Sequence, residues 1–238
     1  MRRLLLFDID GTLVSGGPAK EAFHVALMES FGTTGPIEVH PFAGKTDPQI
    51  ARELLVQAGI PHEDIDRGMP ALYERYLTEL ERRLPQRPMA VLPGVDALMD
   101  ALAAVKDVAL GLVTGNIAGG ARLKLRGAGL DRHFAVGAYG SDAEERNELP
   151  ALALARARER WGVDFAREDV LVIGDTPRDV ECGRAHGLST VGVATGGYGT
   201  RELREAGAHH VLDDLSDTAG VRELLTGEAP PRTPSPTA

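Results

Sequence analysis

Two aspartates close an apolar run near the start of the chain. In "LLLFDIDGTLV", Asp8 and Asp10 stand one residue apart, with Gly11 and Thr12 directly behind them. Two further polar clusters follow apolar runs in the same way. Thr114–Gly115–Asn116 follows "VALGLV", and Gly174–Asp175–Thr176–Pro177–Arg178–Asp179 follows "VLVI". Like charges this close repel, and each carboxylate loses water on leaving solvent. A hard divalent cation offsets both costs. Mg²⁺ takes oxygen ligands and keeps other positions for water and substrate. It also screens an incoming anion from the carboxylates. One carboxylate can then attack as a nucleophile, and a second, close but off the metal, can shuttle a proton.

These residues need elements that bring them together. Apolar runs at 4–7, 108–113, 170–173 and 190–193 read as strands of a buried parallel sheet, with weaker ones at 210–212 and in "HFAVGAY" near Phe134. Helical patterns lie between them: "GVDALMDALAAV", "GGARLKLRGAGL", "LPALALARARERWG" and "RDVECGRAHG". Alternation from about residue 92 to 225 predicts right-handed crossovers and a doubly wound parallel α/β sheet. Ligands of such sheets bind outside the carboxyl ends of the strands. If the three strands are neighbours, their polar ends converge.

Residues 15–88 break the rhythm, reading as helices only, at 19–31, 48–57 and 63–84. Turn residues mark the borders, "SGGP" and "PQRP". The expectation is a core of 1–14 and 89–226, an inserted α-helical domain over 15–88, and a disordered tail over 227–238, where "GEAPPRTPSPTA" is Pro-rich and without apolar periodicity.

The bulk numbers narrow the function classes. The chain has 238 residues, 43% of them hydrophobic, and a net charge of −9. That charge argues against nucleic acid as a partner, and an anionic ligand would need a local cation. "MRRLLLFDID" reaches charged residues too soon for a secretory signal, and no stretch is long enough to span a membrane. The single cysteine, Cys182, permits no intramolecular disulfide. A cytoplasmic protein with no membrane partner is expected.

The ordered set "DIDGTLV", "LVTGN" and "VIGDTPRDV" resembles the first, second and fourth motifs of the haloacid dehalogenase-like hydrolase superfamily, in a branch similar to phosphoglycolate phosphatases. A helical insertion after the first motif is similar to that family's first cap type, and the likeness covers all but the tail. The resemblance implies a Rossmann-like core with Mg²⁺ as cofactor. It implies Asp8 as the nucleophile, giving an aspartyl-phosphate, and Asp10 as the group that protonates the leaving oxygen and then activates water. One carboxylate oxygen of Asp8, the backbone carbonyl of Asp10 and the carboxylate of Asp175 would hold the metal. Asp179 would join directly or through water. Thr114 and the Gly115 amide would bond the phosphoryl oxygens, with Asn116 beside them.

One departure stands out. The family's third motif usually offers a lysine shortly before the fourth, but no lysine follows Lys124 here. Arg146, in "GSDAEERNELPALAL", stands where that lysine would sit. An arginine supplies a fixed charge and a fork that suits a phosphoryl group or Asp8. If Arg146 does not, Lys124 or another arginine must.

Several residues have competing readings. Asp179 falls in the first turn of a helix, where a carboxylate is favourable in any case. In "FAGKTDPQI", Lys45 can reach the anionic or polar part of a substrate, while Thr46 or Asp47 is an N-cap and Pro48 a first-turn proline. His24 reads as packed or solvent-facing, His133, His209 and His210 as structural, Trp161 as packing at a helix end, and Cys182 as a small buried residue. The function expected is Mg²⁺-dependent hydrolysis of a small phosphorylated metabolite, phosphoglycolate-like by resemblance. The alternatives are a phosphomutase of the same superfamily and a non-catalytic metal- or phosphate-binding module. No stripe in the sequence points to an oligomeric interface.

Overall fold

The computed structural model describes residues 2–227. The expected tail lies, apart from Gly227, outside the described residues. In chain order the elements are β1 (Arg3–Phe7), β2 (Val14–Gly16), α1 (Ala19–Phe31), α2 (Asp47–Gln57), α3 (His62–Arg83), β3 (Met89–Val91), α4 (Val95–Ala103) and β4 (Val108–Thr114). There follow α5 (Ala118–Gly127), β5 (Val136–Tyr139), α6 (Leu149–Trp161), β6 (Val170–Gly174), α7 (Pro177–Ala185), β7 (Ser189–Val193), α8 (Thr200–Glu205), β8 (His210–Leu212) and α9 (Thr218–Thr226).

Six strands form one sheet in the order β5-β4-β1-β6-β7-β8. Every adjacent pair is parallel. β1 is therefore flanked by β4 and β6, with Phe7 opposite Leu112 on one side and Ile173 on the other. A strand's side chains alternate between faces. Leu5 and Phe7 pack with Leu98 and Met99 of α4, Leu125 of α5 and Val221 and Leu225 of α9. Leu4 and Leu6 pack on the other face with Leu149, Ala153 and Ala157 of α6 and Cys182 of α7. With helices on both faces, β1, β4 and β6 are apolar apart from Arg3 at the start of β1 and Thr114 at the end of β4. The α/β doubly wound expectation describes this sheet.

Residues between β2 and β3 hold α1, α2 and α3. The apolar positions of α3, Ile65, Met69, Leu72, Tyr76 and Leu80, recur at three or four residues and are buried. Phe23 of α1 meets Tyr76 edge-to-face at 5.3 Å. β2 and β3 pair antiparallel, Val14 opposite Val91 and Gly16 opposite Met89, so the chain leaves β1 and returns to α4 through a two-stranded ribbon. That ribbon was not expected. Three-residue strands beside glycine and proline read as turns, and only the pairing of segments far apart in sequence makes them strands. Among the described residues, no helix is long and apolar enough to cross a membrane.

Candidate active site

The strand order sets the carboxyl ends of β1, β4 and β6 side by side, so the three polar signatures meet. Asp8 is the first residue past β1. Its amide donates to the Ile173 carbonyl at 2.8 Å, which extends the ladder with β6 and fixes where the side chain starts. Asp175 follows β6 directly. Asp179 sits in the first turn of α7, where it forms a capping box with Thr176. The Asp179 amide donates to Thr176 Oγ1, and Asp179 Oδ2 accepts from the Thr176 amide at 3.0 Å and its hydroxyl at 2.7 Å. Oxygens of Asp8, Asp175 and Asp179, all buried, lie within 4.8 Å of one another.

Burial raises the Asp8 carboxyl to about 6; nearby Arg146 opposes the rise, and Asp179 and Asp10 add to it. Burial first, then Asp179 and Asp8, push Asp175 up to about 8, against a 3.1 Å hydrogen bond from the Thr12 hydroxyl. The space around Asp175 is closed by glycines. A Cβ on Gly11, which has φ +85°, would come within 2.3 Å of Asp175 Oδ2, and one on Gly196 within 1.7 Å. Only glycine lets both loops approach the carboxylate this closely. Three convergent, desolvated carboxylates in a tight cradle are an oxygen donor set that fits Mg²⁺.

Arg146, the candidate for the place of the missing lysine, reaches this cluster. It opens a single 3₁₀ turn, Arg146–Glu148, ahead of α6, and its carbonyl accepts from Cys182 Sγ of α7 at 3.4 Å. Its Nη2 lies 3.1 Å from Asp8 Oδ1 and is also paired with Asp179 Oδ1. Burial works against the guanidinium charge, but Asp179 and Asp8 more than offset it and hold its pKa above the ordinary arginine value. Arg146 Nε is buried without a partner. Cys182 is buried as expected, and burial pushes its thiol up to about 12.

Asp10 has a different environment. Its carboxylate is half-exposed and lies outside the Asp8–Asp175–Asp179 cluster. Both oxygens accept from Lys124 Nζ of α5, at 2.9 and 2.7 Å, and Oδ2 accepts from Asn116 Nδ2 at 2.7 Å. Asn116 Nδ2 also donates to Thr114 Oγ1 at 2.9 Å, which ties the end of β4 to the loop after β1. The sequence named Lys124 only as a fallback cation for Arg146. It does another job, and the signal was there: Lys124 lies on the buried face of α5 with Ala121 and Leu125.

The loop before α2 descends onto this site. Thr46 is the N-cap of α2, accepting from the Gln49 amide, and its hydroxyl donates to the Glu144 carbonyl at 2.6 Å. The Asp47 amide donates to the Gly115 carbonyl at 2.8 Å, and Asp47 Oδ2 accepts from the Ile117 amide at 2.8 Å. A side chain at Gly115 would collide with the Lys45 carbonyl, at 2.1 Å from the added carbon. Gly115 is therefore required by close approach. Lys45 lines the cavity, but its ammonium is ion-paired with Glu53 and lies 3.4 Å from His40 Nε2. Sequence reasoning missed Asp47 as a joint between these loops, and missed the glycines after β7.

Residues 5–193 match the model of a family described as haloacid dehalogenase-like hydrolase. The chain is 28% identical to "Probable phosphatase IndB" of Dickeya dadantii over 94% of its length and 95% of that protein. It is 29% identical to the phosphoglycolate phosphatase of Rhodospirillum rubrum, over 91% of this chain and 89% of the relative. The crystal structure of a hydrolase from Pseudomonas syringae superposes with a TM-score of 0.70 at 22% identity, covering 94% of this chain and all of that one.

Proposed function

The chain belongs to the haloacid dehalogenase-like hydrolase family, and we propose that within it the protein is a phosphatase that hydrolyses the phosphate monoester of a small metabolite through Asp8. One observation carries this reading. A buried carboxylate at the end of β1 lies 3.1 Å from a buried guanidinium and within one cluster with two further acids. An anionic phosphoryl group needs that mixture of nucleophile and positive charge. The relatives named above as phosphatases support it.

In the proposed first step an Asp8 oxygen attacks phosphorus, and the bond from phosphorus to the ester oxygen breaks. Asp10 gives a proton to the departing oxygen, so the alcohol leaves neutral and the phosphoryl group stays on Asp8. In the second step Asp10 takes a proton from water. The hydroxide so formed attacks phosphorus, and inorganic phosphate leaves Asp8. Lys124 and Asn116 hold the Asp10 carboxylate in place for both transfers. Thr114, the Gly115 amide, Asn116 and Arg146 would donate to the equatorial oxygens, where charge builds in the transition state. The carboxylates of Asp8, Asp175 and Asp179, with the Asp10 carbonyl, would hold Mg²⁺. When bound, it supplies the charge that lets a dianionic ester approach the acids.

Residues 15–88 are proposed as a cap over a core of 1–14 and 89–226, excluding bulk water during transfer. The test is phosphate release from a panel of small esters, with Mg²⁺ and with chelator, for the native protein and Asp8→Asn. Release that requires both Mg²⁺ and Asp8 is expected. Release that survives in Asp8→Asn would overturn the assignment.

A further inference from the structure

A cavity of about 560 Å³ opens at Asp8. At the ~30 Å³ that one water takes up in the liquid, it holds on the order of 20 water-sized groups. A phosphoryl group and a hydrated cation claim roughly half of them. What remains accommodates a leaving group of about ten non-hydrogen atoms, far more than a two-carbon acid fills. The helical segment lines it with Phe23, Phe42, Ile50 and Tyr76.

The charges on the cavity wall say more than its size. Five cations line it, and each already faces a carboxylate. Lys20 pairs with Glu38 at 3.3 Å, Lys45 with Glu53, Arg87 with Glu21, Lys124 with Asp10, and Arg146 with Asp8 and Asp179. Lys20 also lies 5.7 Å over the Phe42 ring. Asp10, Glu21 and Asp47 present carboxylates to the same cavity. Among the described residues, no cation lining the cavity lacks an acidic partner. A second anionic group on the substrate would have to break one of these pairs or lie unpaired beside acids. At the buried Lys45, Lys124 and Arg146 the first route leaves an acid without its cation, and the second desolvates the new anion; the exposed Lys20 and Arg87 pairs give way more easily but lie at the solvent side.

Resting on the phosphatase reading above, we propose that the ester's leaving group is an uncharged alcohol larger than two carbons with an apolar face, not a carboxylate-bearing fragment such as glycolate. A sugar's C–H face and an aryl ring both suit the same aromatic wall.

The test compares kcat/KM for phosphoglycolate, glucose 6-phosphate and phenyl phosphate on the full chain with Mg²⁺. At least one uncharged ester is expected to exceed phosphoglycolate by about 10-fold or more. Phe42→Ala should narrow that ratio by removing apolar wall. Glu21→Gln should narrow it from the other side, since it frees Arg87 at an exposed position and raises turnover of phosphoglycolate. Hydrolysis that favours phosphoglycolate, or a ratio unmoved by both variants, overturns this inference and leaves the phosphatase reading standing. No phosphate from any ester defeats both.

Discussion

Stripping divalent cation from this protein should make it lose stability as the pH rises from 6.5 to 8.0. Asp175 is the cause. Its folded carboxyl is held at about 8, against an ordinary 3.8, so the folded state keeps a proton that the unfolded chain has already lost. Stability then falls with rising pH until the folded group ionises. The other shifted carboxyls act mainly outside this window. Glu79, held at about 2 by Arg82 and Arg83, and Asp142, held low by Arg156, contribute stability that is lost only below about pH 5. Asp8 and Asp47, both near 6, have finished ionising for the most part. Burial lowers His40 and His133 below 6.5, so their effect runs the other way and offsets a smaller part of the fall just above that pH. Across 1.5 pH units Asp175 therefore costs about 2 kcal/mol, at 1.36 kcal/mol per unit. For a chain of this size that is roughly 4–8 °C in Tm. Thermal melts in chelator at pH 6.5 and 8.0 read it directly. Saturating Mg²⁺ should abolish the fall, because the cation takes the proton's place, and Asp175→Asn should abolish it without metal. A chelated native protein whose Tm is flat or rises over this interval would refute the account of Asp175 as a desolvated acid awaiting a cation.

Three further outcomes follow from the same site. Asp8→Asn should reduce phosphate release at least ~1,000-fold while the protein melts no lower than native, because the variant removes a buried acid along with the proposed nucleophile. More than a tenth of native activity would exclude the role. Arg146→Met leaves Asp8 and Asp179 without their shared cation and should cost about 3–5 kcal/mol in urea denaturation under chelation. An unmoved midpoint would mean that the pair carries no stability. Gly196→Ala places a carbon 1.7 Å from Asp175 Oδ2, so it should weaken the Mg²⁺-dependent rise in Tm; Gly197→Ala, whose added carbon meets nothing within 4 Å, is the control. Equal responses in the two variants would show that Asp175 is not confined by the loop after β7.

What the sequence made legible was whatever is local. Apolar runs of four to six residues marked β1, β4, β6 and β7, and weaker ones marked the edge strands β5 and β8, since a strand covered by helices on both faces leaves no polar alternation to confuse the reading. Turn chemistry marked the polar ends of β1, β4 and β6, and the helical segment announced itself by the absence of such runs. What stayed hidden depends on pairing across the chain. The β2–β3 ribbon joins residues more than seventy positions apart. Lys124 and Arg146 were both visible as candidate cations, but their partners were not, because α5 and the turn before α6 reach the site from different sides of the sheet. Asp47 was read only as an alternative to Thr46 for the helix cap, and its bond to the Ile117 amide needs the segment before α2 folded down onto the loop after β4.

The pair that opens the sequence shows how one local motif yields two chemical environments. Asp8 and Asp10 are separated only by Ile9, which is wholly buried. Asp8 still belongs to the strand ladder, so its carboxylate is carried into the cluster with Asp175 and Asp179 and met there by Arg146. Past it the backbone turns, with Gly11 at positive φ, and Asp10 is received instead by Lys124 of α5 and Asn116 of the loop after β4. A carboxylate desolvated among acids suits attack on an electrophile once a cation offsets its neighbours. A half-exposed one held by an ammonium and an amide suits carrying a proton between solvent-derived oxygen and substrate. Two identical side chains acquire distinct surroundings because a strand end and a glycine turn send them to different neighbours. Exchanging their surroundings, for example by Lys124→Met, should therefore impair proton transfer more than phosphoryl binding. The expected signature is a larger fall in kcat for esters of poorly leaving alcohols than for phenyl phosphate, with KM nearly constant. An equal fall for both classes of ester would mean that Lys124 supports the fold around Asp10 and not its proton.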